Sequence, residues 1–163
     1  MSNHIIEIFT DGSSLGNPGP GGYGVIIKYR EKQKKLSAGY KLTTNNRMEL
    51  MAVIQAIKML NDFAKEKEIV IYSDSKYVIH AVEKKWVFGW VKKNFKDKAN
   101  ADLWRAFLKE YSKYNIKFHW VKGHSGHNEN EICDKLAKKA AESKTLKIDH
   151  GYESSLNKPN QLF

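Results

Sequence analysis

The sequence predicts a mixed α/β domain with a five-stranded sheet flanked by helices, and three observations support this fold class. Near the N-terminus, branched apolar residues alternate with polar ones over short segments, which is typical of half-buried strands. From Asn46 onward, apolar residues recur at steps of three and four, which indicates amphipathic helices. The 163 residues suffice for one domain with one buried core.

Three consecutive segments at the start of the chain predict an antiparallel unit. The strand HIIEIFT (residues 4–10) ends at the turn-forming run DGSSLGNPGPGG, and the strands YGVIIKYR (23–30) and LSAGYKLTT (36–44) flank the charged turn EKQKK. A short exposed connection between two alternating segments is typical of a hairpin. The sheet is therefore expected to begin with three antiparallel strands.

The remainder of the chain alternates helices with strands, which predicts parallel strands joined by helical crossovers. The first helix carries the stripe Leu50, Ile54 and Ile57, with Asn45 or Asn46 as its cap. After Ser143 the periodicity stops, so the sequence predicts a catalytic domain over residues 1–143 and an irregular tail over 144–163. The other predicted elements are strand 68–74, helix 75–84, helix 102–114, strand 116–123 and helix 129–143.

The charge balance predicts an anionic partner, because 28 Lys and Arg against 18 Asp and Glu give a net charge of +10. A basic, soluble surface explains the same number about equally well, so motifs must decide. The single Cys133 excludes an internal disulfide and a zinc cage of cysteines, and it fits a reducing compartment. No stretch approaches the roughly 18 apolar residues of a membrane span, and we expect a cytoplasmic protein with no membrane partner.

Four acidic residues each have an ordinary explanation. Asp11 and Asp74 both follow an apolar strand, where the first can start a turn and the second can cap the next helix. Glu49 stands where the acid of a capping box reaches back to the helix start. Asp134 lies four residues before Lys138, which is typical of a surface ion pair.

Considered together, the four acids suggest a metal site. Two end strands, one lies near the start of a helix and one lies on the last helix, so the fold could gather them at one edge of the sheet. Clustered carboxylates repel one another unless divalent cations neutralise them, and Mg²⁺ prefers carboxylate oxygens and water as ligands. Paired metal ions are typical of phosphodiester cleavage.

Five motifs in register carry a family resemblance: IEIFTDGSSLGNPGPGGYGVI, TTNNRMELMAVIQAI, YSDSKYV, NADLW and WVKGHSGHNENEICDKLA, which span nearly everything from residue 5 to residue 142. By these motifs the chain resembles type 1 ribonuclease H, the family that cuts the RNA strand of RNA–DNA hybrids. The resemblance implies the ribonuclease H-like fold, internal cleavage that leaves 3′-hydroxyl and 5′-phosphate ends, and two Mg²⁺ ions, with Mn²⁺ as a substitute. It places the metal ligands on Asp11, Glu49, Asp74 and Asp134 and the catalytic-loop histidine on His124.

The resemblance also implies which residues bind the substrate. Small uncharged groups suit recognition of the 2′-hydroxyl in the minor groove of a hybrid, although turn formation and helix capping explain the same asparagines. Thr44 and Asn100 match a pocket for a DNA phosphate, and Lys76 stands where many relatives have Gln. The minor-groove residues are Gly12, Ser13, Asn17, Asn45 and Asn46.

The segment over residues 84–98 carries six lysines and one aspartate, so its local charge is +5. Lysines neutralise phosphates and aromatic faces pack on sugars, a combination that grips a nucleic-acid backbone without reading its sequence. A solvated helix with its aromatic side chains in the core is the alternative. In the family this region is a basic handle that contacts the DNA strand, and the residues assigned to it are Trp86, Trp90, Lys92, Lys93 and Lys96.

Two other functions stay open beside hybrid cleavage. A module that binds hybrids without cutting would be favoured by the loss of any of the four acids, and none is lost. A metal-dependent exonuclease acting on free ends would use similar carboxylates. We expect a monomer whose partner is the hybrid duplex, and Leu162 and Phe163 at the end of the tail are candidates for a contact with a replication protein.

Overall fold

Five strands form one sheet in the computed structural model, which describes residues 5–122 and 128–156. They lie in the order β3-β2-β1-β4-β5. The pairing is antiparallel from β3 to β1 and parallel from β1 to β5, and this mixture of strand directions is as predicted. The hairpin turn is shorter than expected, because Lys32 already belongs to β3. The strands are β1 (Ile5–Ser14), β2 (Gly19–Tyr29), β3 (Lys32–Thr43), β4 (Glu68–Ser73) and β5 (Asn115–Trp120).

Helices cover both faces of this sheet. In β1, Ile8 joins the large core that contains the α1 residues, while its neighbour Phe9 joins a smaller core with Cys133 of α5. Among the described residues, no helix has the length and apolar character needed to cross a bilayer. The helices described are α1 (Asn45–Lys58), α2 (Lys76–Glu83), α3 (Trp86–Lys92), α4 (Ala101–Tyr111), α5 (Asn128–Ala141) and α6 (His150–Leu156), with a 3₁₀ helix at Asp62–Glu66.

The helix α5 lies close against β1, β2 and β3 because the sheet carries a glycine where the helix crosses it. The place that a Cβ would take on Gly24 is filled by the backbone of Cys133. Any side chain at Gly24 would push α5 outward. The close approach brings Asp134, the residue after Cys133, within reach of the strand that carries Asp11.

Two helix caps differ from those that the sequence suggested. Helix α1 is capped by Thr44, whose Oγ1 accepts the backbone N–H of Arg47 at 3.3 Å, and not by either asparagine. Helix α2 is capped by Ser75, whose Oγ accepts the N–H of Val78 at 3.2 Å, and not by Asp74. Both hydroxyls lie on extended backbone just before the first turn, which is the geometry that a cap requires.

The expectation that the segment after Ser143 is irregular is wrong for its described part. Lys147 forms a parallel bridge with Tyr40 on the edge strand β3, and α6 begins at His150. Between them Asp149 is 3% exposed. The segment shows no apolar periodicity because backbone pairing and a buried charge hold it in place, and neither leaves a period in the sequence.

Candidate active site

Two of the four predicted acids lie side by side where the neighbouring parallel strands β1 and β4 reach the same edge of the sheet. Phe9 pairs with Tyr72 in the parallel register, so Asp11 and Asp74 each stand two residues farther along their strands. Asp11 is 7% exposed and Asp74, just beyond β4, is half-buried. The sheet register alone therefore brings these two carboxylates together.

Glu49 reaches the same edge from α1. Its side chain does not close a capping box; its Oε1 accepts the backbone N–H of Gly12 at 2.6 Å, and that N–H also reaches Asp11 Oδ1 at 3.0 Å. The helix can lie this close because Gly12 has no Cβ; a Cβ there would collide with the backbone of Met48 and Glu49. One N–H group thus holds two of the acids.

The structure brings three of the predicted metal ligands into one cluster. One oxygen from each of Asp11, Glu49 and Asp74 lies within 4.8 Å of the others. Asp134 stands at the rim, where its carboxyl hydrogen-bonds to that of Asp11 while its Oδ2 lies 3.0 Å from Lys138 Nζ. The ordinary ion pair on α5 is therefore present, and it coexists with the contact to Asp11.

Burial and mutual repulsion oppose ionisation of this cluster. Burial raises the pKa of Asp11, and the neighbouring Asp74 and Asp134 raise it further, to about 8. Burial also raises the pKa of Glu49 well above its ordinary value, with the charges of Asp11 and Asp74 acting in the same direction. A bound cation would therefore favour the fully ionised form of the cluster.

The donor set fits a hard divalent cation. All three clustered ligands are carboxylates, which suit cations that prefer oxygen and keep part of their water shell. The nearby Cys133 does not add a soft ligand, because its thiol donates to the carbonyl of Phe9 at 3.3 Å and burial raises its pKa to about 12. Oxygen coordination is thus the chemistry that this edge of the sheet offers.

The small polar residues predicted to read the minor groove lie next to the carboxylates along the chain. Ser13 continues β1 beyond Gly12, and Asn45 opens α1, the helix that carries Glu49. The Oδ1 of Asn17 accepts the backbone N–H of Asn45 at 3.0 Å, which joins the loop after β1 to the helix start. Asn17 and the neighbouring Asn46 are exposed, as a contact with a substrate requires.

The handle combines a buried anchor with a basic surface. Val87 and Phe95 are buried, so part of the core-packing alternative is correct, while Trp86 is 47% exposed. Lysine ammonium groups lie over two rings of the handle, at 5.2 Å for Lys84 over the exposed Trp86 and 5.1 Å for Lys98 over the half-buried Trp90. An open groove of about 770 Å³ on this surface is lined by Lys85, Trp86, Gly89, Trp90, Lys93, Lys96, Asp97 and Lys98. Lys92, at the end of α3, is exposed as well.

Trp120 is a residue at this site that sequence reasoning missed. Its Nε1 donates to the backbone carbonyl of Asp74 at 3.2 Å, and the Lys76 ammonium lies 5.3 Å from its ring centroid. It is 41% exposed, although an aromatic residue in a strand is typical of a core. The available signal was its position at the end of β5, the strand beside the one that Asp74 follows.

The two residues predicted to hold a DNA phosphate share one neighbour. The backbone N–H of Arg47 donates to Thr44 Oγ1, and the Arg47 guanidinium donates to Asn100 Oδ1, both at 3.3 Å. The predicted catalytic-loop residue His124 falls in residues 123–127, outside the described residues, so its role stays a prediction.

The chain is similar to ribonucleases H over nearly its whole length. The family model described as RNase H matches residues 3–142. A ribonuclease HI of Pasteurella multocida is 52% identical over 153 residues, which cover 91% of this chain and 96% of the relative. A ribonuclease H of Vibrio campbellii is 48% identical over 160 residues, 95% of this chain and all of the relative. The solved structure of LC9-RNase H1, a type 1 RNase H with the type 2 active-site motif, has a TM-score of 0.78 at 29% identity and covers 96% of this chain and 82% of its own.

Proposed function

This chain belongs to the RNase H family, and we propose that it hydrolyses the RNA strand of RNA–DNA hybrids at internal positions, with Asp11, Glu49 and Asp74 at the centre of its metal site. The observation that carries the proposal is the meeting of these three carboxylates at one edge of the sheet, with no cationic side chain among them in the part of the chain that the structure describes. Asp134 joins them from α5 through its contact with Asp11.

In the proposed reaction the residues of this chain keep the site in shape. The Gly12 N–H fixes Asp11 and Glu49, so neither carboxylate has to be reoriented when the site is loaded. Divalent cations bound there supply an activated water and stabilise the charge on the leaving oxygen. His124, which precedes α5 in the sequence, serves in proton exchange and release of the cleaved phosphate.

Selectivity for a hybrid requires contacts with both strands. The pair Asn17 and Asn45, held together by their hydrogen bond, offers small amides for the RNA 2′-hydroxyls. The lysines and tryptophans of the handle offer a surface for the phosphates and sugars of the DNA strand. Both contacts use features of the duplex that do not depend on base sequence.

The test is gel-resolved cleavage of one end-labelled RNA in three forms: paired with DNA, paired with RNA, and single-stranded. Each form is incubated with Mg²⁺ or with a chelator. We expect internal cuts of the DNA-paired form alone, and only with Mg²⁺. Binding without cutting would favour a module that binds hybrids but does not cleave them. Cutting of all three forms would refute the role of the 2′-hydroxyl contacts.

A circular RNA annealed to complementary DNA separates internal cleavage from an exonuclease. An endonuclease opens the circle, whereas an enzyme that needs a free end leaves it intact. The variant Asp74→Asn serves as the matched control, because it keeps the shape of the side chain and removes the charge. We expect the circle to be opened by the wild-type protein and not by this variant.

The contribution of the handle is measured by the salt dependence of hybrid binding. Removing three charges from the handle should reduce the slope of log K against log salt by about 2, because each phosphate contact releases slightly less than one counterion. Three exposed lysines on the edge strand β3 provide a control with the same change in net charge. The handle variant is K92Q/K93Q/K96Q and the control is K32Q/K34Q/K35Q. Equal slopes for the two variants would show that the handle does not contact the phosphates of the hybrid.

Four finer statements belong to the same proposal. We take Mg²⁺ as the metal, with Mn²⁺ as a substitute, because the clustered ligands are all carboxylates. We take the protein to act as a monomer, and we place it in the cytoplasm because its relatives are bacterial and its proposed substrate is a nucleic acid. A contact of Leu162 and Phe163 with a replication protein stays a prediction, since both lie outside the described residues.

A further inference from the structure

Arg47 is a buried cation that two acidic side chains surround. Its residue is 3% exposed. The guanidinium donates to Asp149 through Nε at 2.8 Å and Nη2 at 2.9 Å, and to Asp102 through Nη1 at 2.8 Å and Nη2 at 2.7 Å. Two bidentate pairs fix the position of the guanidinium plane, because each accepts two parallel N–H groups.

The same residue contacts both members of the predicted phosphate pocket. Thr44 accepts from the backbone N–H of Arg47, and Asn100 accepts from its Nη1. The Nδ2 of Asn100 donates to the Tyr77 hydroxyl at 3.0 Å, and that hydroxyl also accepts Trp104 Nε1 at 2.9 Å. The side chain of Asn100 is thus oriented from both of its ends.

These bonds leave each pocket residue one donor for a ligand. The Thr44 hydroxyl uses a lone pair toward Arg47, so its own hydrogen is available to a phosphate oxygen. The Asn100 amide uses one of its two Nδ2 hydrogens toward Tyr77 and keeps the second. The Arg47 guanidinium orients the Asn100 amide, and the Arg47 backbone N–H orients the Thr44 hydroxyl. The pocket therefore presents two neutral donors, each held by a different part of Arg47.

The position of Arg47 is in turn set by the segment after α5. Asp149 accepts from the Thr43 hydroxyl at 2.7 Å and from the N–H of Tyr152 at 3.2 Å, in addition to its bonds with Arg47. Gly151 lies so close that a Cβ there would collide with Asp102 Oδ2. The C-terminal segment is therefore packed directly on the guanidinium.

We propose that Asp149 is a positioning residue for hybrid binding: through the Arg47 guanidinium it orients Asn100, and through the Thr43 hydroxyl it fixes the backbone before Thr44, in the geometry that accepts one phosphate of the DNA strand. This inference rests on the proposed function. It assigns the described C-terminal segment, residues 147–156, to the construction of the substrate surface. It also explains why a buried acid stands in a segment that has no apolar face of its own.

The test neutralises single DNA phosphates by methylphosphonate substitution, one position at a time, in a hybrid of fixed sequence. For the wild-type protein, we expect one position at which the change weakens binding about tenfold, the cost of losing a charge-assisted contact. For Asp149→Asn, we expect unmodified hybrid to bind about tenfold more weakly, and the effect at that position to fall below about twofold. The matched control is Glu153→Gln, an acid-to-amide change four residues farther along the chain on α6.

Dissociation constants are measured in chelator by fluorescence anisotropy, well below the unfolding temperature of each variant. KM and kcat are then measured with Mg²⁺, and a positioning role predicts a raised KM with kcat changed less than about twofold. Gly151→Ala provides a second variant that displaces Asp102 and Arg47 while keeping every charge, should Asp149→Asn not fold. A merely structural role would lower the unfolding temperature and leave the methylphosphonate response of the folded variant intact, which would overturn the inference.

Different results would refute the proposed cleavage reaction and the positioning role of Asp149. A wild-type protein that binds hybrids in chelator but never cuts them with Mg²⁺ would refute the proposed reaction, while the binding comparison would still decide the role of Asp149. A wild-type protein that cuts hybrids, together with an Asp149→Asn variant that retains the full methylphosphonate effect, would refute the positioning role alone.

Discussion

The described residues include two clusters of acidic side chains that differ in one component. Asp11, Glu49 and Asp74 meet with no described cationic side chain among them, whereas Asp102 and Asp149 meet around Arg47. In the first cluster burial and repulsion raise the pKa of Asp11 to about 8. In the second, burial acts to raise the pKa of Asp102, but its hydrogen bonds with Arg47 and the charge of that residue outweigh burial and lower it.

The difference shows how the same residue types are assigned to structure or to chemistry. Burial of Arg47 acts to lower its pKa, yet the two carboxylates hold that pKa above its ordinary value, so the guanidinium stays charged between them. Such a cluster can fix geometry. Ionisation of the first cluster lowers the stability of the fold. The cluster has this property because a bound cation is expected to supply its neutralising charge.

The largest expected effect comes from removing charge in the first cluster. Asp11→Asn should lower cleavage of the hybrid by about a thousandfold or more, because the metal site loses a central ligand. In chelator the same variant should unfold at a temperature roughly 2–8 °C higher, since each kcal/mol of relieved repulsion shifts the transition by about 2–4 °C in a chain of this size. Calorimetry and the gel assay measure the two effects on one preparation.

Mg²⁺ provides the control for this prediction. It should raise the unfolding temperature of the wild-type protein and raise that of Asp11→Asn much less, because binding to the folded state stabilises it by mass action. A variant that unfolded at a lower temperature in chelator would show instead that Asp11 serves as a structural turn residue.

The second effect is the loss of the cation in the other cluster. Arg47→Met should lower the free energy of unfolding by about 3–5 kcal/mol, because it leaves two carboxylates without their buried partner. Arg105→Met removes an exposed arginine from α4 and should cost less than about 1 kcal/mol. Urea denaturation of both variants tests this comparison. Equal losses would mean that Arg47 contributes only its apolar packing.

The sequence predicted the first cluster better than the second. Asp11 and Asp74 follow recognisable strands, and the family motifs favoured a metal site at all four acids over their ordinary explanations. Asp149, one of the two acidic partners of Arg47, lies 102 residues away from it in a segment with no apolar periodicity. No local sequence pattern encodes such a pairing. One signal was available, because Arg47 precedes the buried stripe of α1 by the spacing that would place it on the same face.

The same contrast explains the errors in local detail. The antiparallel and parallel parts of the sheet followed from alternation and crossover connections, which are properties of the whole chain. The caps were misassigned because Thr44 and the two asparagines after it are all good capping residues, and tertiary contacts decide among them. Trp120 was missed because its hydrogen bond is to a backbone carbonyl on another strand.

The third effect is a pH dependence of opposite sign in the two clusters. In chelator, Asp11 has a folded pKa raised from 3.8 to about 8, so the stability linked to its protonation is present at low pH and is lost as pH rises through that window. Asp102 has a lowered pKa, so its contribution is present above its ordinary pKa and is lost only as pH falls below that value. The two carboxylates should therefore produce slopes of opposite sign in different pH ranges.

Urea midpoints from pH 3 to pH 9 in chelator separate the two slopes. The wild-type protein should lose stability relative to Asp11→Asn between about pH 4 and pH 8, by an amount on the order of 2 kcal/mol. Asp102→Asn should change the profile only below about pH 4 and by less, because that carboxylate is half exposed. Saturating Mg²⁺ should flatten the first slope and leave the second. A first slope that persisted in Mg²⁺ would show that the cation does not bind the Asp11 cluster.

The smallest effect concerns Asp134, which stands between the two kinds of cluster because it contacts both Asp11 and a cation of its own helix. The Lys138 ammonium lies 3.0 Å from Asp134 and is largely exposed, so the pair stabilises the fold little. Lys138→Gln should shift the unfolding temperature by less than about 1 °C. It should nevertheless strengthen Mg²⁺ binding by about twofold, measured by titration calorimetry, because Asp134 no longer shares its charge with the lysine. Lys139→Gln removes a neighbouring exposed charge that does not pair with Asp134. An equal gain in Mg²⁺ affinity from this variant would show that the effect comes from net charge alone.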